Sequence, residues 1–546
     1  MTGHMLRRSR AIDLSILAGL AALVVLLYHS VMSLDWIYDD PFNLRFVQSH
    51  EVTGYFFSPD LWKELPFRMF TPLLYASLEV DDLLWPANPV YWYGHQLVAV
   101  VLAVWCLYGV LRLFWDHTQS SVIAILFLLG VPFKGWIAQL MCRHYVEGFV
   151  LACLAMATWI VSVRSNRSSL ALLSGALYLG AMLAKEIYVP LPILFFLTSG
   201  EASRRIRHTL PHAASVLIYM IWRRGMIGTW LGGYGWSSEP GSLGEILVGV
   251  PAALIGHLAG HAGWFAMVNL VAILAFIGIA SQRSRRFLVA ISVATLGWAA
   301  PLFSVWKSPE DRYLVVLWLI LAAGAVIGIG QLRLPARTSS ITLLTLLAVS
   351  MFANRLDWWS SIRELEAMSA ESRFVLSKSE PFTLSHPLAP PATIAELDRL
   401  RGDREMNAEF AWFYDDIALC EAGALPPVWA HGDRGAAFVR LSVRELEAMK
   451  ATACDHPRTE PMSAVFSFRR GIVSWKLGPY HDGSWAVLFP GARAVHQVGS
   501  VGGFRVGDQR SFDIQLRYTA PAGWTTYSPI LHLDFEQSSE VRWSRQ

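Results

Sequence analysis

The chain has 546 residues, 54% of them hydrophobic and only 16% charged, with 23 tryptophans and a formal net charge of +3. Soluble domains carry about 25% charged residues, and a single soluble core could not hide this much apolar surface. Composition therefore points to a membrane protein, and the small net charge, with no basic aromatic-laced patch, excludes a nucleic-acid partner.

Arg7, Arg8 and Arg10 precede an apolar run from Ile12 to Val31, long enough to cross a bilayer. No small-residue cleavage site is clear and many apolar runs follow, which predicts a retained first helix with its N-terminus in the cytoplasm. The chain then reads Leu34-Asp35-Trp36-Ile37-Tyr38-Asp39-Asp40-Pro41. Carboxylates are costly at the mouth of a span and are usually kept there for a task. Asp39 and Asp40 read either as a catalytic base or cation site, or as a solvated turn made by Asp-Asp-Pro. The loop from 34 to 90 is rich in aromatics, as interfacial segments are.

Further spans are expected near 91–114, 122–140, 144–163, 169–184, 187–199, 210–227, 263–281, 286–305, 312–331 and 338–354. Arginines between them set the orientation: Arg164 and Arg167, then Arg204, Arg205 and Arg207, then Arg283, Arg285 and Arg286, then Arg333 and Arg337. These clusters all fall on the cytoplasmic side only if 243–260 does not cross, so that segment reads as interfacial or re-entrant on the outer side. The fold class expected is an α-helical polytopic membrane protein of about eleven transmembrane helices with a C-terminal extracytoplasmic α/β domain ending in a β-sandwich-like module. The domains expected are 1–354 in the membrane, with 34–90 as the first outer loop, and 355–546 outside. Residues 361–368 have a charged helical pattern, Pro381 to Pro391 reads as a linker, and short alternating strands with Gly and Pro punctuation follow Met462. Cys106, Cys142 and Cys153 read as small core hydrophobes. Cys420 and Cys454 share the outer domain, where a disulfide is expected in preference to two free thiols.

With this topology the outer ends of the spans collect Asp39, Asp40 and Arg68, then Arg143, His144 and Glu147, then Lys185 and Glu186, then Arg223 and Arg224, then Lys307, Glu310, Asp311 and Arg312. Any one of these cations could snorkel or pair with a neighbouring acid. As a set, against the positive-inside bias, they suit a lipid-linked phosphate at headgroup level.

These stretches resemble a family. Asp39-Asp40 after the first span is similar to the acidic motif of the C-type integral-membrane glycosyltransferases, which include protein O-mannosyltransferases and the lipid A aminoarabinose transferase. Phe67-Arg68-Met69-Phe70-Thr71-Pro72 and Asn88-Pro89-Val90-Tyr91-Trp92-Tyr93-Gly94-His95 resemble their first-loop end and second span. Ala184-Lys185-Glu186 followed by Val189-Pro190-Leu191-Pro192 resembles their Lys-Glu turn, and Glu310-Asp311-Arg312-Tyr313-Leu314 their entry to a late span. The resemblance covers roughly 10–360. It departs in having Asp-Asp where many relatives have Asp-Glu, and in lacking tetratricopeptide repeats.

The resemblance implies a sugar transferase with a polyprenyl-phosphate-linked donor and a glycan, lipid or protein acceptor, in a bacterial-type inner membrane with the C-terminal domain outside. Asp39 is then the general base, with Asp40 orienting. Lys185, Arg312, Arg223 and Arg68 bind the donor phosphate, and Arg143, His144, Glu147, Glu186 and Glu310 bind or orient sugar and acceptor. No cofactor is required. A divalent cation held by Asp39, His144 and Glu147 is the lesser alternative to local hydrogen bonding. A transporter or polymerase-like protein for lipid-linked saccharides would show similar cations, but with polar sites near mid-membrane and internal repeats. A non-enzymatic anchor would leave Asp39-Asp40 and Lys185-Glu186 unexplained.

Overall fold

A computed structural model describes residues 2–63, 69–196, 201–230, 258, 264–299, 311–332, 334–378, 382–385, 388–389, 393–394, 396–397, 400, 411–413, 427–431, 438–454, 462–469, 472–480, 483–489, 494–505, 510–519, 525–536 and 538–544. Two compact units emerge. One comprises Met1–Leu34, Phe46–Gly233 and Ser242–Glu364; the other comprises Asp35–Arg45, Tyr234–Gly241 and Leu365–Gln546. The Asp39-Asp40 segment thus belongs with the C-terminal part of the chain. Arg68, Lys307, Glu310, Cys420, the Cys454 side chain and all of 243–260 except Leu258 lie outside the described residues.

The helices run α1 Thr2–Tyr28, α2 Asp40–Ser49, α3 Val52–Phe57, α4 Pro72–Leu84, α5 Pro89–Arg112, α6 His117–Leu128, α7 Lys134–Ile137, α8 Arg143–Ser165, α9 Ser168–Ala184, α10 Leu191–Phe196, α11 Ala202–Ile227, α12 Trp264–Arg283, α13 Arg285–Ala299, α14 Asp311–Gln331, α15 Ala336–Ser377 and α16 Val443–Cys454. Local chemistry sets many ends. Proline opens α4 and α5, where its missing N–H costs nothing. Asp116 caps α6 by accepting from Gln119 N at 2.9 Å. Gly228, at φ +76°, closes α11 by donating its N–H to Arg224 O.

Among the described residues, five helical segments are long and apolar enough to cross a membrane: Arg10–Ser33, Pro89–Arg112, Leu140–Ser165, Asp311–Gln331 and Ala336–Ser377. The chain is an integral membrane protein. Leu26, Leu102, Leu172, Leu217, Leu296 and Leu344 are exposed on six different helices, a surface suited to lipid. Within the first unit α8 packs on α5 and α9, and α9 on α11.

Several expectations are corrected. The span expected at 122–140 is α6 followed by Val131–Ile137, bent by 61°. Pro132 lacks the N–H that a continuing helix would use, and a Cβ on Gly130 would stand 2.3 Å from the Trp318 indole. The span at 187–199 is a 3-10 turn, Glu186–Tyr188, and the six-residue α10. The span at 210–227 begins at Ala202, so Arg204, Arg205 and Arg207 lie on α11 and not in a loop. The span at 338–354 is part of the longer α15, which runs on to Ser377.

In the second unit, strands β1 Thr383–Ser385, β2 Ala411–Phe413, β3 Val428–His431 and β4 Phe438–Arg440 form a sheet of order β2-β1-β3-β4. The pairs β1–β2 and β1–β3 are parallel, and β3–β4 is antiparallel. The Pro381–Pro391 segment is therefore no linker: it supplies a strand whose Leu384 is buried beside Phe382. The remaining strands are β5 Ser463–Arg469, β6 Ile472–Gly478, β7 Ser484–Phe489, β8 Ala494–Val498, β9 Val501–Arg505, β10 Ser511–Thr519, β11 Thr525–Tyr527, β12 Leu531–Asp534 and β13 Glu540–Ser544. One sheet has the order β13-β5-β6-β9; the other runs β11-β10-β7-β8, with β12 also on β10. Phe466, Val473, Trp475 and Leu477 of the first share one core with Trp485, Val487, Ile514, Leu516, Tyr518 and Leu533 of the second. Alternate residues of each strand face this core, which makes the module a sandwich.

Candidate active site

Three groups of charged residues in the first unit hold the candidate site residues. The deepest centres on Arg143, the first residue of α8, which is fully buried. Its Nη1 donates to Asp81 Oδ2, its Nη2 to Trp92 O at 2.7 Å and its Nε to Gln96 Oε1 at 3.2 Å. Asp81, from α4, also meets His95 Nδ1 at 2.7 Å, and His95 Nε2 lies 3.8 Å from Glu147 Oε1. Ser77 Oγ donates to the same Glu147 oxygen at 2.6 Å. A buried guanidinium held by a carboxylate and two carbonyl-type oxygens is satisfied, so Arg143 fixes α4, α5 and α8 against one another. Sequence reasoning assigned Arg143 to the substrate and passed over Asp81, Gln96 and Ser77. The available signal was His95-Gln96, two polar residues in the first turns of an otherwise apolar helix.

The second group is cationic. Lys185 follows the last residue of α9 and is buried, with Nζ 3.5 Å from Glu186 Oε1, 3.4 Å from Met69 Sδ and 5.2 Å above the Tyr145 ring. Arg312 is the second residue of α14, with Nη1 3.4 Å from Gln139 Oε1 and its guanidinium 5.5 Å from the centre of the Tyr313 ring. Tyr145 and Tyr313 meet edge to face at 6.0 Å. Buried His144 lies against Tyr145, ring centres 4.4 Å apart and tilted by 39°, and the charges acting on it are Lys185 and Arg312. Arg223, near the end of α11, is buried and acts on Glu186 together with Lys185. Lys185, Arg312 and Arg223 thus come from three distant turns to one region that also holds Glu186.

The third group braces the second. Lys134, in the bent segment, lies 3.3 Å from Asp311 Oδ2 and 3.0 Å from Asp357 Oδ2. Trp136 Nε1 donates to Arg312 O at 2.8 Å, and a Cβ on Gly135 would stand 2.6 Å from Arg312 N. The bend that breaks the expected span therefore places α7 against the head of α14.

His144 and Glu147 meet different partners. Glu147 turns to Ser77 and His95, while His144 faces two cations, which repel a metal ion. No group of three or more His, Cys, Asp or Glu among the described residues is arranged to hold a metal.

In the second unit Asp39 is exposed and Asp40 buried. Asp40 Oδ2 accepts from Ile37 N at 3.2 Å, and Asp39 O accepts from Asn43 N at 2.9 Å as α2 begins. Of the two carboxyls, Asp40 closes the turn and Asp39 lies at the surface.

Residues 89–223 match the model of a family described as dolichyl-phosphate-mannose-protein mannosyltransferase. That stretch holds Arg143, His144, Glu147, Lys185, Glu186 and Arg223, but not Asp39, Asp40 or Arg312. No curated protein matches the chain. Among solved structures, the crystal structure of ArnT from Cupriavidus metallidurans bound to undecaprenyl phosphate aligns with 77% of this chain and 93% of that one, at 12% identity and a TM-score of 0.46. Over residues 89–223, then, the chain is similar to the dolichyl-phosphate-mannose-protein mannosyltransferase family, the class of membrane transferases that its motifs resemble.

Proposed function

We propose that this protein is a membrane glycosyltransferase that moves a sugar from a polyprenyl-phosphate donor to an acceptor hydroxyl on the extracytoplasmic face. The observation that carries the proposal is the meeting of Lys185 and Arg312, from turns 127 residues apart in number, around the Tyr145–Tyr313 pair and His144. Cationic side chains brought together at the ends of apolar helices suit a lipid-borne phosphate. The family match over 89–223 supports the same class of reaction.

In this mechanism the acceptor oxygen attacks the anomeric carbon as the bond from that carbon to the phosphate oxygen breaks. The bonding pair leaves with the phosphate, whose growing charge Lys185, Arg312 and Arg223 stabilise, with Arg68 as a further candidate. The hydroxyl proton passes to Asp39, and Asp40 holds the turn. A single displacement inverts the anomeric configuration. The accompanying topology has about eleven spans, 243–260 and Glu310 on the outer side, and the C-terminal domain outside the cytoplasm, in the periplasm if the membrane is a bacterial inner one.

Asp39→Asn and Asp40→Asn, purified and compared for folding and sugar transfer, test this assignment. Asp39→Asn should lose about 10²–10⁴-fold in rate, the usual cost of removing a general base, while Asp40→Asn loses less because its amide oxygen can still accept from Ile37 N. Near-normal transfer by Asp39→Asn, or a product of retained configuration, would overturn the mechanism.

A further inference from the structure

The Asp39 turn is tied down from the far end of the chain. Asp35 N donates to Ser369 Oγ at 2.6 Å, Ser372 Oγ donates to Trp36 O, Thr393 Oγ1 donates to Tyr38 O at 2.8 Å, and Arg45 Nε donates to Glu396 Oε2 at 2.7 Å. These pairs are 334 to 355 residues apart in sequence, yet they bracket Asp39 on both sides. Ser369, Ser372 and Thr393 are all buried. Leu388 and Ala389 are also held, since both carboxylate oxygens of buried Glu371 accept their backbone N–H groups at 2.6 Å.

The most telling tie is at Tyr38. Its φ is +49°, a left-handed conformation that a bulky residue adopts only when its surroundings hold it. Thr393 supplies such a hold on the Tyr38 carbonyl, one peptide before Asp39. A relaxed Tyr38 would rotate that peptide and swing the Asp39 carboxyl.

We infer that Thr393 and Ser372 are positioning residues for Asp39, so that the C-terminal unit sets the aim of the base. The inference rests on the transferase function proposed above. Displacing a reacting group by about 1 Å can cost roughly 10²-fold in rate without touching substrate affinity.

The test compares Thr393→Val, which removes the hydroxyl at nearly constant shape, with Thr393→Ser, which keeps it. Ser372→Ala is the independent second variant, and each is made in the wild-type and Asp39→Asn backgrounds of the full chain. We expect Thr393→Val and Ser372→Ala to lower kcat about 10-fold or more with little change in donor KM. Thr393→Ser should restore kcat, and neither variant should add a loss once Asp39 is Asn. Wild-type kcat in both variants, alongside an inactive Asp39→Asn, would overturn the positioning role and leave the transferase proposal standing. Equal fold losses in both backgrounds would also overturn it, as a general effect on the fold. Should Thr393→Val fail to fold, Ser372→Ala decides by the same criteria. Full transfer by Asp39→Asn itself would remove the base assignment, and this inference with it.

Discussion

Tyr145 and Tyr313 meet edge to face with ring centres 6.0 Å apart, and each stands beside a cation, Lys185 for the first and Arg312 for the second. One ring belongs to α8 and the other to α14, so their packing converts two remote turns into one positively charged surface. Aromatic faces tolerate cations in a low-dielectric setting.

This arrangement predicts how the two cations divide binding from catalysis. The donor phosphate gains charge as it leaves, and contacts that strengthen in the transition state speed the chemical step. Lys185→Ala and Arg312→Ala should each lower the maximal rate at saturating donor by about 10²-fold. Steady-state kinetics check this. Raised donor KM at unchanged maximal rate in both variants would make the residues uniform binders and not stabilisers of the leaving group.

Lys134 should be a stability determinant. Its removal leaves Asp357, which is buried, without the ammonium 3.0 Å away. Breaking one side of a buried ion pair costs about 3 kcal/mol or more. Lys134→Met should therefore lower the thermal midpoint in detergent, and the double variant Lys134→Met/Asp357→Asn should recover part of the loss. A midpoint that does not move in Lys134→Met would contradict the brace.

Gly135→Ala probes the same contact from the other side. Its new Cβ would meet the backbone of Arg312, 2.6 Å from N and 3.1 Å from Cα. Backbone at a helix head cannot yield as a flexible side chain does, so the start of α14 must shift. The expected outcome is a loss of about 10-fold or more in turnover. Gly109→Ala, where a Cβ meets nothing within 4 Å, is the neutral control.

Asp35 gives a pH signature. Burial raises its carboxyl above the ordinary range, against the opposing pull of the Trp36 N–H and the Arg373 guanidinium. A carboxyl whose folded pKa is raised contributes stability below its unfolded pKa, and that contribution is lost as pH rises through the folded value. Asp35→Asn should thus raise the thermal midpoint at neutral pH relative to wild type, with the difference shrinking toward acid. A variant less stable than wild type at pH 7 would show that the Arg373 contact outweighs burial.

The parts of the site that the sequence displays are those where charge conflicts with its surroundings. Asp39, Lys185, Glu186 and Arg312 stand out because ionised groups beside apolar runs are expensive. Arg143 stands out for the same reason, yet folding spends it on Asp81, 62 residues away. Pairings at that separation leave no local pattern, and Asp81 itself reads as one more acid on a loop helix. The break at Val131–Ile137 was written in Gly130-Val131-Pro132, but continuous hydrophobicity from 122 to 140 masks it. Pro381 to Pro391 reads as a linker from its prolines, although Phe382 and Leu384 are buried. The alternating strands past Met462 were legible because a sandwich repeats an in–out pattern along every strand. That residues 369–396 hold the Asp39 turn was not legible at all, since Ser369, Ser372 and Thr393 have no feature that sets them apart before the chain folds.

The most direct test of the central claim is incubation of the purified protein with a panel of polyprenyl-phosphate-linked sugars and a membrane extract as acceptor source, with release of polyprenyl phosphate measured over time. One donor should be consumed in an acceptor-dependent manner by the wild type, and at a rate lower by about 10²-fold or more by Asp39→Asn. Absence of consumption of every donor by folded wild-type protein, or equal consumption by wild type and Asp39→Asn, would contradict the account.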